Sequence, residues 1–286
     1  MTENPLVSVL MTAYNREKYI AEAIESVLAS SYQNFELIIV DDASSDTTVH
    51  IAKSYQRFEQ RIKLYINSKN IGDYPNRNMA ASFACGEYMM HVDSDDTILH
   101  NGLEKCVRTM QQFPECSFGM RFYGQECPPF QINSKEIIYR HFFDSPMLGI
   151  GPGATIIRRD FFEKIGKYPI KYGPANDRYF NIKAASKTNM VFLPFEFLCY
   201  RLHEGQEINN QYSYLYNNYL YLRDALNELS LPLTRENIKW LNLKNKRRFL
   251  VNVAKYFTST FNLPKTVAVL KHTQFGLKDM LQAIVH

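Results

Sequence analysis

The chain has 286 residues, 45% hydrophobic and 22% charged, enough to bury one large α/β core or a catalytic domain with a smaller appendage. Its five cysteines, Cys85, Cys106, Cys116, Cys127 and Cys199, form no CxxC pair, which argues against a disulfide framework or a zinc site and for reduced thiols. The net charge of +4 is uneven, because residues 206–286 hold 11 Lys/Arg against 5 Asp/Glu.

At the start, Met1-Thr2-Glu3-Asn4-Pro5 has no basic region or apolar core, and no apolar run of eighteen residues follows anywhere. Neither a signal peptide nor a membrane span is expected, and the expected location is cytoplasmic. Leu6–Ala13 is apolar and rich in β-branched residues, a buried strand that stops at Tyr14-Asn15. Ile20, Ala23, Ile24, Val27 and Leu28 then mark one face of a helix over residues 17–29. Phe35–Val40 is a second strand, halted by Asp41-Asp42, and Asp46 suits the cap of a helix running to about Phe58. Ile62–Ile66 is a third strand. A polar loop over 67–73 leads to a helix with Pro75 in its first turn, ending near Cys85-Gly86. Glu87–Val92 is a fourth strand, stopped by Asp93-Ser94-Asp95-Asp96, and a helix spans about 101–113. Residues 115–150 show no clear period. Ala154–Arg158 and Val191–Tyr200 read as strands, with a short helix to Gly166 between them. From about Ile208 the chain is mainly helical, divided by Pro232 and Pro264.

This alternation predicts an α/β fold with a mostly parallel central sheet. Ligands on such sheets bind at the carboxyl ends of the strands, where Tyr14-Asn15, Asp41-Asp42 and Asp93-Ser94-Asp95 should line one crevice. Carboxylates at a strand-to-turn junction can converge on a hard cation that bridges to phosphate, although Asp96 at the same place can simply cap a helix. Asp41 and Asp42 can accept from a base N–H or a ribose hydroxyl, while Ser44 and Asp46 suit a turn and a cap. Arg77 near a helix start can grip a pyrophosphate, or be an ordinary loop arginine.

The runs PLVSVLMTAYN, VDDASSDTT, NIGDYPNRNMA and GEYMMHVDSDD, over residues 5–105, resemble family 2 glycosyltransferases of the GT-A fold in order and separation. A looser match continues through GATIIRRDFFEKIGKYP, PANDRYFNIKAA and YRLHEGQ to residue 206. The resemblance implies a GT-A catalytic domain over 1–206, with a nucleotide-binding half (1–113) and an acceptor-side half (114–206), and a helical extension over 207–286. It implies that Thr12, Ala13 and Tyr14 lie against the base and that Asp42, with Asp41, accepts from it. Asn70 and Arg77 would lie near base or diphosphate, and Asp93 with Ser94 toward the ribose. Asp95 would bind a divalent Mn²⁺ or Mg²⁺, with His203 as a further ligand or a structural histidine. Arg201 would assist at the diphosphate, and Gly153 would border the acceptor and donor sugar. The family's Glu-Asp pair stands here as Asn176-Asp177, so Asp177 is the expected general base. A negative charge at a helix start is also favoured by the helix dipole.

The expected reaction is therefore an inverting transfer from a nucleotide sugar, UDP-linked first, to a saccharide or lipid-linked acceptor in surface polysaccharide or glycoconjugate synthesis. A nucleotidyltransferase would carry glycines where Ala13-Tyr14-Asn15-Arg16 stands. A non-catalytic nucleotide-sugar-binding module is the other alternative, and no nucleic-acid motif is present. Tyr212, Tyr216 and Tyr219 have the spacing of a packed helix face. Lys244-Asn245-Lys246-Arg247-Arg248 beside an amphipathic helix suits peripheral contact with an anionic membrane, packing on the catalytic domain or a second copy of the chain.

Overall fold

The computed structural model describes residues 3–124, 127–203 and 210–285. Four parallel strands form its first half: β1 (Val7–Ala13), β2 (Phe35–Asp41), β3 (Ile62–Ile66) and β4 (Tyr88–His91). β1 and β2 are buried along almost their whole length. Such continuous apolar runs suit parallel strands covered on both faces. The ladder pairs Val7 with Phe35 and Ala13 with Asp41, which brings the polar ends of β1 and β2 side by side.

The full sheet has eight strands in the order β3-β2-β1-β4-β8-β6-β9-β7. β8 (Thr155–Arg158) is antiparallel to both β4 and β6 (Cys116–Arg121), while β9 (Asn189–Leu193) is again parallel to β6. The second half is therefore mixed, and the carboxyl ends of β1, β2, β4, β6 and β9 share one edge. The helices α1 (Ile20–Leu28), α2 (Thr48–Gln56) and α4 (Gly102–Gln112) contribute to the apolar core on one face. On the other lie α3 (Asp73–Ser82), α5 (Ser134–Phe143), α6 (Arg159–Ile165) and α7 (Asn176–Ala185).

One close approach fixes the start of β4. A Cβ on Gly86 would meet Ser8 N at 2.6 Å and Leu6 O at 2.7 Å, so only glycine lets the turn lie against β1. Two segments depart from the sequence expectation. The featureless stretch 115–150 contains β6, β7 (Phe130–Ile132) and α5. The start of α5 is capped by Asn133, whose side chain accepts from Glu136 N at 2.9 Å. The single strand expected over 191–200 is two, β9 and β10 (Leu198–Cys199), because Pro194 has no N–H to continue the ladder. β10 instead pairs antiparallel with β5 (Thr97–Ile98), the strand that follows the Asp93–Asp96 turn.

The boundary expected at residue 206, with Glu204-Gly205-Gln206 of the last motif and Ile208, lies outside the described residues. Beyond it come α8 (Gln211–Glu228), α9 (Arg235–Thr260), α10 (Leu263–Thr273) and α11 (Leu277–Val285). Their apolar residues belong to the same core as α5, α6 and α7. Tyr219 stacks on Phe249 with centroids 4.4 Å apart, and Tyr216 meets His272 edge-on, so this part of the tyrosine cluster is packing. Two members of the basic run also pack: Lys246 pairs with Asp279 at 2.8 Å and Arg247 Nε donates to Ala283 O. α8 docks on α7 through Tyr172 Oη to Asp224 (2.8 Å), Tyr179 Oη to Glu228 (3.0 Å) and Arg178 to Asn218 (3.0 Å). No helix among the described residues is long and apolar enough to cross a membrane.

Candidate active site

The loops after β1, β2 and β4 converge as the strand ends predict. Ser94 Oγ donates to Thr12 O at 2.7 Å and ties the β4 turn to the end of β1. Ala13 is buried and the Tyr14 ring stands 46% exposed at the rim. Asp41 and Asp42 are both buried. Asp41 accepts from Ser44 N (2.8 Å) and Ser44 Oγ (2.5 Å). Asp42 accepts from Asn67 Nδ2, Ile71 N and Gly72 N at 2.8–2.9 Å. Asn70 reinforces that loop by accepting from Gly72 N. These carboxylates thus shape the loop walls of the crevice, and any contact to a base adds to partners already present. Asn67 and Asn76, which sequence reading passed over, extend the network: Asn67 Nδ2 reaches Asn76 Oδ1, and Asn76 Nδ2 donates to Val40 O.

Arg77 is buried between two carboxylates. Its Nη1 donates to Asp93 Oδ1 at 2.6 Å and its Nε to Asp73 Oδ1 at 2.8 Å. Burial opposes its charge, but the two carboxylates outweigh that and raise its pKa well above the ordinary value. Burial would likewise lift Asp93, yet Arg77 overcomes it and holds Asp93 below the usual carboxylate range. His91 behind this pair is driven by burial to about 3 and is neutral. Its Nδ1 has no hydrogen-bond partner among the described residues.

Asp95 lies on the opposite side of the turn. One oxygen, Oδ2, accepts from Arg16 Nε at 2.8 Å and lies 2.9 Å from His203 Nε2. Tyr19 stacks on the His203 ring with centroids 4.8 Å apart and also lies under Arg201. The Arg201 backbone N–H donates to Asp96 at 2.9 Å, and its guanidinium pairs with Glu22 at 2.9 Å. Burial raises Asp96 to about 7. Arg16 was missed because the crevice reading of this turn stopped at Tyr14-Asn15 and Arg16 entered only through the absence of glycine. Its place three residues beyond the end of β1 was the available signal.

Asp95 and His203 are the residues here whose chemistry could hold a divalent ion. Asp95 Oδ2 and His203 Nε2 contact each other at 2.9 Å, so a divalent ion held by both would have to replace that contact, completing its shell with substrate phosphate and water. Among the described residues no group of three or more His, Cys, Asp or Glu forms a closed metal cage. Arg16 shares the same Asp95 oxygen, so a cation seated there competes with it.

Gly153 and Gly151 lie between the two halves of the site. A Cβ on Gly153 would come within 4.0 Å of Asp93 Oδ2, and one on Gly151 within 4.0 Å of Asp177 Oδ2. Asp177 is part-buried in the first turn of α7, with Oδ1 accepting from Arg178 N at 2.6 Å. Burial lifts its carboxyl to about 6, against the opposing pull of Arg178. Asn176 faces inward: its Nδ2 donates to Gly173 O (2.7 Å) and its Oδ1 accepts from Tyr172 N (2.9 Å). Its amide locks the turn before α7.

A family model for "Glycosyl transferase family 2" matches residues 8–166, more than half the chain. The chain belongs to glycosyl transferase family 2. Among curated relatives, a putative glycosyltransferase of Bacillus subtilis, EpsE, is 43% identical over 113 residues, which is 39% of this chain and 41% of that protein. The glycosyltransferase GlyG of Streptococcus pneumoniae is 25% identical over 278 residues, covering 89% of this chain and 88% of that one. Among solved structures, residues 1–349 of Staphylococcus aureus TarS in complex with UDP-GlcNAc superpose with a TM-score of 0.72 at 23% identity, covering 93% of this chain and 80% of TarS 1–349. The mannosyltransferase PcManGT of Pyrobaculum calidifontis, in complex with GDP-Man and Mn²⁺, gives 0.67 at 15% identity, covering 99% of this chain and 84% of that one. At these identities the structures establish the GT-A fold of this family 2 chain.

Proposed function

We propose that this family 2 chain transfers a sugar, with inversion, from a nucleoside diphosphate donor to an acceptor hydroxyl. UDP is the first candidate nucleotide, and surface polysaccharide or glycoconjugate synthesis is the setting. The observation that carries this reading is the pairing of two unlike halves across Gly151–Gly153: on one side Asp93, which opens the turn carrying Asp95 with its partners His203 and Arg16, and on the other Asp177, whose carboxyl burial raises to about 6. A base matched to neutral pH and an electrostatic site for a leaving diphosphate are what displacement at an anomeric carbon requires. The complexes of TarS with UDP-GlcNAc and of PcManGT with GDP-Man support a nucleotide-sugar donor on this fold. The relative TuaG, a putative teichuronic acid biosynthesis glycosyltransferase of Bacillus subtilis, supports the polysaccharide setting.

In this reading Arg77 holds Asp93 toward the ribose, and the Asp42 network shapes the base pocket. Asp177 accepts the acceptor hydroxyl proton as that oxygen bonds to the anomeric carbon. The bond from that carbon to the diphosphate oxygen breaks, and the electron pair leaves with the diphosphate. A divalent ion bound at Asp95 and His203 would supply Lewis-acid stabilisation of that charge. Arg16, released from Asp95, and Arg201 supply positive charge from the chain itself.

The test is nucleotide release from a panel of UDP- and GDP-sugars, with Mn²⁺ or EDTA, for wild type and Asp95→Ala. Mn²⁺-dependent release from one donor, lost in the variant, is the expected result. No nucleotide binding by wild type would overturn the proposal, and tight binding without release, even with an acceptor panel, would favour the binding-module reading. The inward-facing Asn176 in place of a second acid is the feature that keeps that alternative in play.

A further inference from the structure

A second open cavity of about 770 Å³ lies on the same carboxyl edge of the sheet, beyond the transfer site. This is the size of a site for a small organic ligand. Arg121, the last residue of β6, lines it together with Leu99, Lys105, Tyr123, Phe195 and Glu196. Its place in the sheet ties it to the reaction. Met120 pairs with Thr155, so the Arg121 backbone comes opposite Ala154, about 4.8 Å from the end of the turn whose Gly153 and Gly151 border Asp93 and Asp177, while its side chain lies on the α4 face beside Lys105. Leu99 follows Asp95 by four residues, a span of at most about 14 Å.

The chemistry of the lining is specific. The Arg121 side chain is 13% exposed, and its buried Nε has no hydrogen-bond partner among the described residues. Its Nη2 donates to Glu196 at 2.8 Å, and its guanidinium lies 4.6 Å over the Tyr123 ring. Lys105 Nζ lies 5.6 Å over the Phe195 ring. Glu196 is 74% exposed, so the counter-ion of Arg121 comes from a solvated side chain that a ligand anion can displace at little cost. A guanidinium with its fork so weakly held is built for a planar or tetrahedral oxyanion. The exposed Tyr123 face and Phe195 offer apolar walls for the C–H faces of a sugar ring.

We infer that this cavity is an acceptor subsite that binds an anionic group, carboxylate or phosphate, on a saccharide one or two units from the attacked hydroxyl. The inference rests on the transfer reading above and names the class of acceptor it uses. Arg121 binds the anion, and Tyr123 and Lys105 orient the sugar that bears it.

The experiment titrates the whole chain, with UDP and Mn²⁺ present, against a glucuronate-containing disaccharide, a glycerol phosphate oligomer and neutral maltose, by ligand-observed NMR. Wild type should bind one or both anionic probes more tightly than maltose, and the tighter of the two identifies the anion as carboxylate or phosphate. Arg121→Gln should weaken that binding about tenfold or more, with UDP affinity unchanged. Glu196→Gln, at an exposed position that leaves the fold intact, should tighten it about two- to fivefold by removing the competing carboxylate. Equal binding of all three probes, or anion binding indifferent to both variants, overturns the inference. Failure of wild type to bind UDP would instead strike the transfer reading, and the Arg121 site would stand or fall on the two variants alone.

Discussion

Asp177→Asn should stabilise the protein at neutral pH while it slows transfer severely. Burial lifts the Asp177 carboxyl from 3.8 to about 6, so the folded state holds this proton more tightly than the unfolded chain. The stability contributed by the protonated form is complete below about pH 4, falls as pH rises toward 6, and is gone above it. A shift of about two units corresponds to about 3 kcal/mol, reduced to about 1–2 kcal/mol because the side chain is only part-buried and water screens it. The amide carries no such burden, and its oxygen can still accept from Arg178 N. Urea unfolding at about pH 7.5 should therefore show Asp177→Asn more stable than wild type by about 1–2 kcal/mol, with the difference vanishing near pH 4. Transfer should fall by about 10²–10⁴, the usual worth of a general base. In wild type, kcat/KM should decline on the acid side with an apparent pKa near 6, since the base must be ionised. A variant less stable than wild type at both pH values, or a pH-independent difference, would show that Asp177 is not a desolvated carboxylate. The assignment of the base would then lose its physical ground.

Arg16→Gln removes the guanidinium that shares Asp95 Oδ2, at side chains 28% and 15% exposed. Electron paramagnetic resonance of Mn²⁺ without nucleotide should show affinity about two- to fivefold tighter, the scale of a partly solvated ion pair, and unchanged affinity would mean that the cation does not seat on Asp95. Gly86→Ala places a methyl 2.6–2.7 Å from backbone atoms of β1. A loss of about 2 kcal/mol or more in thermal or urea unfolding is expected, and a loss below about 0.5 kcal/mol would contradict the close approach.

The parallel half was legible because its strands are apolar along their length and end abruptly in Asp41-Asp42 and Asp93–Asp96, giving both the elements and the crevice. The second half was legible only in part: β8 and α6 lie close to where they were expected and β9 within the stretch read as one strand, whereas β6, β7 and α5 fall in the stretch that showed no clear period. In β6, Ser117 and Gly119 break the apolar run, and Gly119 is there because Ile156 and Met110 pack against its bare Cα. That is a tertiary demand with no periodic trace. The Asn133-to-Glu136 spacing did carry a helix-start signal for α5 and was overlooked. Within the site, residue types at a strand end and near a helix start pointed to Asp95 and Arg77. The sharing of Asp95 between Arg16 and His203, 108 residues away from Asp95 along the chain, depends on how β5 pairs with β10. Likewise the inward fold of Asn176 depends on the turn it caps, which local sequence does not reveal.

The docking of α8 on α7 bears on how such chains can be recombined. The residues that fasten this contact, Tyr172, Arg178 and Tyr179, flank Asp177, the proposed base, within two positions or sit in the turn just before its helix, and their partners are all in α8. A chimera joined between residues 203 and 210 would therefore split a single core, stripping Tyr172 and Tyr179 of Asp224 and Glu228 beside Asp177. Exchange of acceptor preference between relatives should succeed only when α7 and α8 travel together, with the crossover placed before the turn that Asn176 locks.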